Sequence, residues 1–313
     1  MKKILMTAMV AAMALSVQTL GANLIVNGSF EDPDIPDNSW AVFSSVTGWT
    51  IQCLAGCAGP DSDGVVHASE LEVWDPTVVG GVEAYDGDQC VELDSYDPTK
   101  ISQVVATTSG VNYQLSYAWR PRPGANCQMD VLVDDVVVAT HSGTSGDWQI
   151  ETYVFTASGA NSTIAFAELG PDDQLGMLLD GITLCPWVGE TAWAAGSRYV
   201  SKGNWATYTP YVADSTVTLY AGQTMEAGTV RFSAVASGNV TIAITLNEGW
   251  RFKDVEENVK IQDYASAPSV KPEPGLFEWK GDADPGESTF EIAVPANNYY
   301  GVHVQVEWLN CDE

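Results

Sequence analysis

Basic side chains are scarce in this sequence: 13 Lys and Arg stand against 41 Asp and Glu, a net charge of −28 over 313 residues. Such a surface repels nucleic acid and anionic lipid, so neither is expected as a partner, and it attracts divalent cations. It is equally the composition of a plain acidic exoprotein. Histidine is rarer still. His67, His141 and His303 are isolated, and none falls in a metal spacing such as HExxH. No GxSxG elbow, no Walker loop and no dinucleotide-binding glycine pattern between a strand and a helix is present. Glu70 with Glu72, or Glu92 with Asp94, has the look of a glycosidase pair, but alternate acids on one strand face are ordinarily solvated rather than tuned as acid and nucleophile. No catalytic residue is assigned, and the protein is expected not to be an enzyme. After the N-terminus no apolar run approaches the length of a bilayer-spanning helix, so membrane insertion is not expected.

The N-terminus has the layout of a secretion signal. Lys2 and Lys3 precede an apolar run over 4–17, and the small residues Gly21 and Ala22 follow. Residues 1–22 are taken as a signal peptide, which places the protein outside the cell. Six cysteines in an exported chain, none in a CxxC pair, indicate disulfides rather than zinc thiolates. Six allow fifteen connectivities. Cys53 and Cys57 are close enough to staple a local loop, and Cys185 and Cys311 can tie the ends of the C-terminal part. Elimination leaves Cys90 with Cys127, so all six are expected to be oxidised and no thiol nucleophile remains.

Nearly everything after the signal alternates in short apolar and polar runs separated by Gly, Pro, Asn, Asp and Ser, with no sustained 3.6-residue period. The predicted fold class is all-β. Strands are expected at 24–26, 40–44, 49–52, 71–74, 90–93, 101–105, 113–119, 128–133, 136–140, 151–156, 163–168 and 178–184, a number suited to an antiparallel jelly-roll sandwich over 23–186. The closing strand is expected to end at Cys185-Pro186. A smaller β-sandwich over 187–313 follows, with strands at 204–212, 216–220, 228–234, 239–246, 259–261, 289–294 and 301–308. Residues 263–286, holding Pro268, Pro272, Pro274 and Pro285, are expected to be a surface loop.

The segment Asn-Leu-Ile-Val-Asn-Gly-Ser-Phe-Glu (23–31) alternates as a half-buried strand and breaks at Asn27-Gly28, a pair suited to positive φ. A second apolar run, 177–184, carries one acid, Asp180. If the two runs pair, Glu31 and Asp180 meet beside turn carbonyls in a cation cradle. Together with Gly48-Trp49, the stretch 110–117 and Leu-Asp-Gly-Ile-Thr-Leu (179–184), these residues resemble the galactose-binding-like jelly rolls. That group comprises carbohydrate-binding modules of polysaccharide-degrading enzymes and secreted cell-wall proteins bearing NLI-x-NG-x-FE. The resemblance covers about half of the chain. It implies a structural Ca2+ held by Glu31, the Ser29 carbonyl and Asp180, acting as a staple away from any ligand. The alternative is that Glu31 caps a turn and Asp180 accepts backbone amides at a strand end.

A narrower resemblance, to bacterial secreted proteins of this type, rests on Glu-Val-Trp (72–74), on 81–93 and on Trp-Arg-Pro-Arg (119–122). Alternation puts Val91 and Leu93 in the core and Glu92 and Asp94 on the opposite face. It also sets Tyr113, Leu115, Tyr117 and Trp119 on one face and Arg120 on the other. If Trp74 reaches that outer surface, it offers a flat ring for a pyranose beside Arg120, Arg122, Glu72, Glu92 and Asp94. The two arginines would suit an acidic glycan. The same residues also make an ion-pair cluster over a packed Trp74. Trp148 is read as structural. The C-terminal part resembles an uncharacterised module of secreted bacterial proteins, from which no activity follows, and Trp193, Trp205, Trp250 and Trp279 are read as packing. The expectation is a secreted, calcium-stabilised, non-catalytic carbohydrate-binding protein whose partner is a polysaccharide or glycan. The alternative is an extracellular matrix or adhesion component that associates through calcium and meets other extracellular proteins.

Overall fold

The computed structural model describes residues 23–54, 69–75, 83–203 and 205–311. The expected signal and Cys57 lie outside them. The strands are β1 (Trp40–Phe43), β2 (Thr50–Cys53), β3 (Leu71–Trp74), β4 (Cys90–Glu92), β5 (Thr99–Ala106), β6 (Asn112–Pro121), β7 (Cys127–Val133), β8 (Val136–Gly143), β9 (Gln149–Thr156), β10 (Asn161–Glu168) and β11 (Met177–Ala194). They continue as β12 (Ser197–Arg198), β13 (Thr207–Pro210), β14 (Ser215–Ala221), β15 (Met225–Phe232), β16 (Asn239–Leu246), β17 (Trp250–Phe252), β18 (Val259–Tyr264), β19 (Trp279–Gly281), β20 (Thr289–Pro295) and β21 (Tyr299–Leu309). The chain is all-β, and its first half is a jelly-roll sandwich. One sheet runs β2-β5-β10-β7-β8, and the facing sheet runs β1-β3-β4-β11 with β6 and β9 beyond. Inward residues of both, among them Leu71, Val73, Val91, Leu115, Tyr117, Ile164, Phe166 and Leu179, form one core.

β11 organises the whole chain. It pairs with β6 as far as Pro186 opposite Tyr113, and with β21 from Trp187 opposite Leu309 onward. The closing strand therefore does not end at Cys185-Pro186 as expected. A proline has no ladder N–H to give, and it sits where β11 changes partners, so the strand passes through it. Beyond it a second core gathers Phe232, Ile242, Ile244, Val259, Tyr300 and Val304. Residues 263–286 are not all loop: β19 pairs with β18, and Pro274–Leu276 form a 3-10 turn.

The opening segment is not a regular strand. Asn27 and Phe30 take φ of 55° and 58°, which breaks the pleat. The segment still lies along β11, since Leu24 N–H donates to the Leu184 carbonyl and Ile182 N–H to that of Gly28. A Cβ on Gly28 would stand 2.0 Å from the Ile182 oxygen, so only glycine permits this approach. Phe30 is fully buried and stacks on Trp49 at 5.5 Å. Phe30→Ala is expected to cost about 3–5 kcal/mol in a denaturant melt.

Cys185 and Cys311 are bonded, with Cα atoms 5.2 Å apart, and Cys53 is also in a disulfide. Cys90 and Cys127 are not paired with each other but are free, buried thiols. Cys90 packs between Trp74 and Leu178, whereas Cys127 donates to the Gly176 carbonyl at 3.1 Å. Elimination failed because an even cysteine count does not oblige every cysteine to pair. Burial pushes the Cys127 thiol up to about 12 and that of Cys90 upward as well. Iodoacetamide is therefore expected to label both only after unfolding, with the sites read by mass spectrometry.

His303 is buried opposite Lys260 on β18. Burial, with Lys260 adding to it, lowers its pKa to about 4. A depressed pKa gives stability that is present above the unfolded value near 6.5 and is lost as pH falls toward 4, up to roughly 3 kcal/mol. Wild type is expected to lose that much more than His303→Asn between those two pH values in urea melts.

Candidate functional site

β1 is the edge strand of its sheet, with Trp40 opposite Trp74 and Val42 opposite Glu72. Opposed residues share a face, so all four point away from the core that holds Leu71 and Val73. Trp74 is nevertheless fully buried. Trp148 packs on it with Cys90 and Leu178, the Arg122 guanidinium lies 4.7 Å above its ring, and its Nε1 donates to Glu72 at 2.6 Å. The expected platform at Trp74 is thus corrected. Alternation gives the face of a side chain and says nothing of what crosses over it. Trp40, opposite it at the sheet edge, stays 51% exposed. Trp148 has the structural part expected of it, its Nε1 donating to the Glu83 carbonyl at 2.7 Å.

Glu92 and Asp94 leave the core side as expected, yet both are wholly buried. Neither reaches the surface. Glu92 lies opposite Glu72 and takes two hydrogen bonds, 2.8 and 2.6 Å, from one nitrogen of Arg122, Nη1. It also accepts the Gly176 N–H at 2.6 Å. Burial raises its pKa to about 8 against the opposing pull of Arg122. Burial likewise raises Glu72, opposed by the Trp74 hydrogen bond and Arg122. Asp94 Oδ2 accepts the N–H groups of Asp173, Gln174 and Leu175, and Glu168 accepts those of Gln128, Gly170 and Met177. These carboxylates hold the turn between β10 and β11. They keep Gln174 at a φ of 65°, with its carbonyl accepting from Arg122 Nη1 at 3.0 Å.

The result is a cleft of about 210 Å³ lined by Trp40, Val42, Glu72, Ser95, Tyr96, Arg122 and Gln174. Of the residues expected to touch ligand, Glu72 and Arg122 line it, while Trp74, Glu92 and Asp94 lie behind it. Arg120 is elsewhere on β6, opposite Leu178, with a buried Nε that has no hydrogen-bond partner among the described residues. Sequence reasoning missed Trp40, Tyr96 and Gln174. Trp40 had a findable signal, an aromatic opening a short strand, but its pairing with 71–74 was not readable.

Glu31 and Asp180 grip one turn. Asp180 is fully buried and accepts the N–H groups of Tyr85 at 2.8 Å, Asp86 at 2.9 Å and Gly181 at 2.6 Å. Glu31 accepts those of Asp88 at 2.9 Å and Gln89 at 2.8 Å. A Cβ on Gly87, between them, would come within 2.4 Å of Glu31 Oε1. Burial pushes Asp180 up to about 8, with Asp86 adding to it, and no basic side chain bonds to either carboxylate among the described residues. The Ser29 carbonyl takes no hydrogen bond among the described residues. These bonds are those of a capped turn and a strand-end carboxylate accepting backbone amides, and no group of three or more His, Cys, Asp or Glu side chains among the described residues could hold a metal ion. The donor atoms of Glu31, Asp180 and Ser29 are all oxygens, the type a hard cation such as Ca2+ takes.

No family profile matches the chain. Similar curated proteins include the multifunctional-autoprocessing repeats-in-toxin of Vibrio vulnificus, 31% identical over 170 residues, and the protein of that name from Vibrio cholerae serotype O1, 27% identical over 163. The alignments take 53% and 51% of this chain but 3% of each relative, so the chain spans about 3% of their length. Solved structures similar to it include TmCBM61 in complex with β-1,4-galactotriose (17% identity, 52% of this chain, 97% of that one, TM-score 0.33). Others are a family 16 carbohydrate-binding module (20%, 52%, 99%, 0.31) and the K1 cleaved adhesin domain of Lys-gingipain from Porphyromonas gingivalis (13%, 47%, 97%, 0.33). This likeness concerns the fold of about half of the chain.

Proposed function

We propose that the chain is an exported, calcium-stabilised, non-catalytic carbohydrate-binding protein whose sugar stacks on Trp40 in the cleft. The observation that carries this reading is a half-exposed indole at the rim of a cleft sized for one pyranose, beside a fixed arginine. An exposed ring offers the C–H face of a sugar what it needs, and convergent polar groups orient the hydroxyls. Arg122 is pinned through Nη1, and its other nitrogens donate no hydrogen bond among the described residues. They remain available to hydroxyl oxygens. The non-catalytic reading is supported by Glu92, which sits behind Arg122, so that Glu72 is the one carboxylate among the described residues lining the cleft. A glycan panel probed with the chain in calcium buffer tests this. A defined set of bound glycans is expected, and a blank panel from folded protein would contradict it.

A second reading, a calcium-gathering matrix or adhesion component, is favoured by two acidic clefts. One is lined by Asp37, Asp75, Glu83 and Asp88, the other by Asp254, Glu256, Asp282 and Asp284. It requires calcium-dependent self-association that survives Trp40→Ala, which light scattering reads.

A further inference from the structure

We propose that the sugar this cleft takes is cationic, an amino sugar with a free amine, its ammonium seated on Glu72 and its ring on Trp40. The inference rests on the carbohydrate reading above and adds the chemical class of the ligand.

The charges around the cleft are unbalanced. Glu72 and Glu92 face each other across β3 and β4, and Arg122 is the one basic side chain among the described residues lining the cleft. Arg122 gives Nη1 to both oxygens of Glu92. Glu72 receives only the neutral Trp74 Nε1–H at one oxygen, and its other oxygen takes no hydrogen bond among the described residues. A carboxylate only 9% exposed thus faces the cleft with no ion pair of its own, only the field of the guanidinium that is bonded to Glu92. Filling that cleft with a neutral sugar completes its desolvation for a hydroxyl hydrogen bond alone. An ammonium completes it with a charge-assisted bond, which is roughly twice as strong. A uronate would bring a second anion against Glu72 instead.

Two further observations agree. Trp40 is an indole face, which attracts cations as well as sugar C–H groups. Its own strand is entered through Asp37 and Asn38, which line the neighbouring acidic cleft with Asp75, Glu83 and Asp88. Both features raise the local concentration of a cationic saccharide and lower that of an anionic one. The acidic glycan suggested by two sequence arginines loses its basis, because one is committed to Glu92 and the other does not line the cleft.

The test is calorimetric titration of the full chain in calcium buffer at pH 6 with four tetrasaccharides: glucosamine, N-acetylglucosamine, galactose and galacturonate. An aliphatic amine is mostly protonated at that pH. The glucosamine oligomer is expected to bind at least tenfold more tightly than its acetylated form, and galacturonate not at all. Glu72→Gln keeps an acceptor for Trp74 Nε1 and is expected to bring that ratio close to one. If Glu72→Gln does not fold, raising the salt must shrink the wild-type ratio in the same direction. Neutral or acetylated oligomers binding as well as glucosamine would overturn this inference and leave the carbohydrate reading standing. Binding of none of the four would overturn the inference, and a blank wider panel would overturn the reading beneath it.

Discussion

Replacing Trp40 by alanine is expected to weaken binding of any glycan the chain recognises by about thirtyfold or more, with an unchanged thermal melt. A stacked aromatic that offers its flat ring to a sugar is worth about 2 kcal/mol, and each 1.4 kcal/mol is a factor of ten. Trp40 is half exposed on an edge strand, so its loss opens no core cavity. Trp74→Ala provides the contrast. That ring is fully buried beneath Arg122 and against Trp148, and its removal is expected to cost about 3–5 kcal/mol of stability. Calorimetric titration and thermal melts of the two variants separate a ligand platform from a packing residue. A Trp40→Ala protein that binds like wild type would remove the platform from the account.

Chelation should have the other large effect. The proposed ion at Glu31, Ser29 and Asp180 would tie the start of the jelly roll to β11 and the 83–89 turn, and it would bind the folded state alone. With free calcium at one hundred times its dissociation constant this gives about 2.7 kcal/mol, or roughly 5–10 °C for a domain of this size. EDTA is expected to lower the first melting transition by that amount. In Asp180→Asn and Glu31→Gln the difference between calcium and EDTA should vanish. A calcium-dependent melt that persists unchanged in both variants would place the ion elsewhere.

Much of this architecture was legible in the residues. The alternation of Tyr113, Leu115, Tyr117 and Trp119 marks the core face of β6, and all four are buried. Asn27-Gly28 marks the break in the opening segment, where Asn27 has a positive φ and Gly28 meets the Ile182 carbonyl. What could not be read is what lies above an outward face. Glu72, Trp74, Glu92 and Asp94 all have outward parity, but Trp148 and Arg122 cover Trp74, and the turn between β10 and β11 gives its amides to Glu92 and Asp94. Only the folded chain fixes where those covering groups land. For the same reason Trp40 was missed. Its importance comes from standing opposite Trp74 at an open edge, a long-range register that no local pattern encodes. The continuation of β11 through Pro186 was hidden likewise, because the strand that receives it, β21, lies far along the sequence, with Leu309 opposite Trp187.

The central claim is that a sugar sits on Trp40, and the most direct measurement is fluorine NMR of the chain with its 11 tryptophans labelled as 5-fluorotryptophan. Titration with the tightest-binding oligosaccharide is predicted to shift the Trp40 resonance, assigned through Trp40→Phe, and to leave those of Trp193 and Trp250 in place. Saturable binding that leaves the Trp40 resonance unmoved would contradict the account.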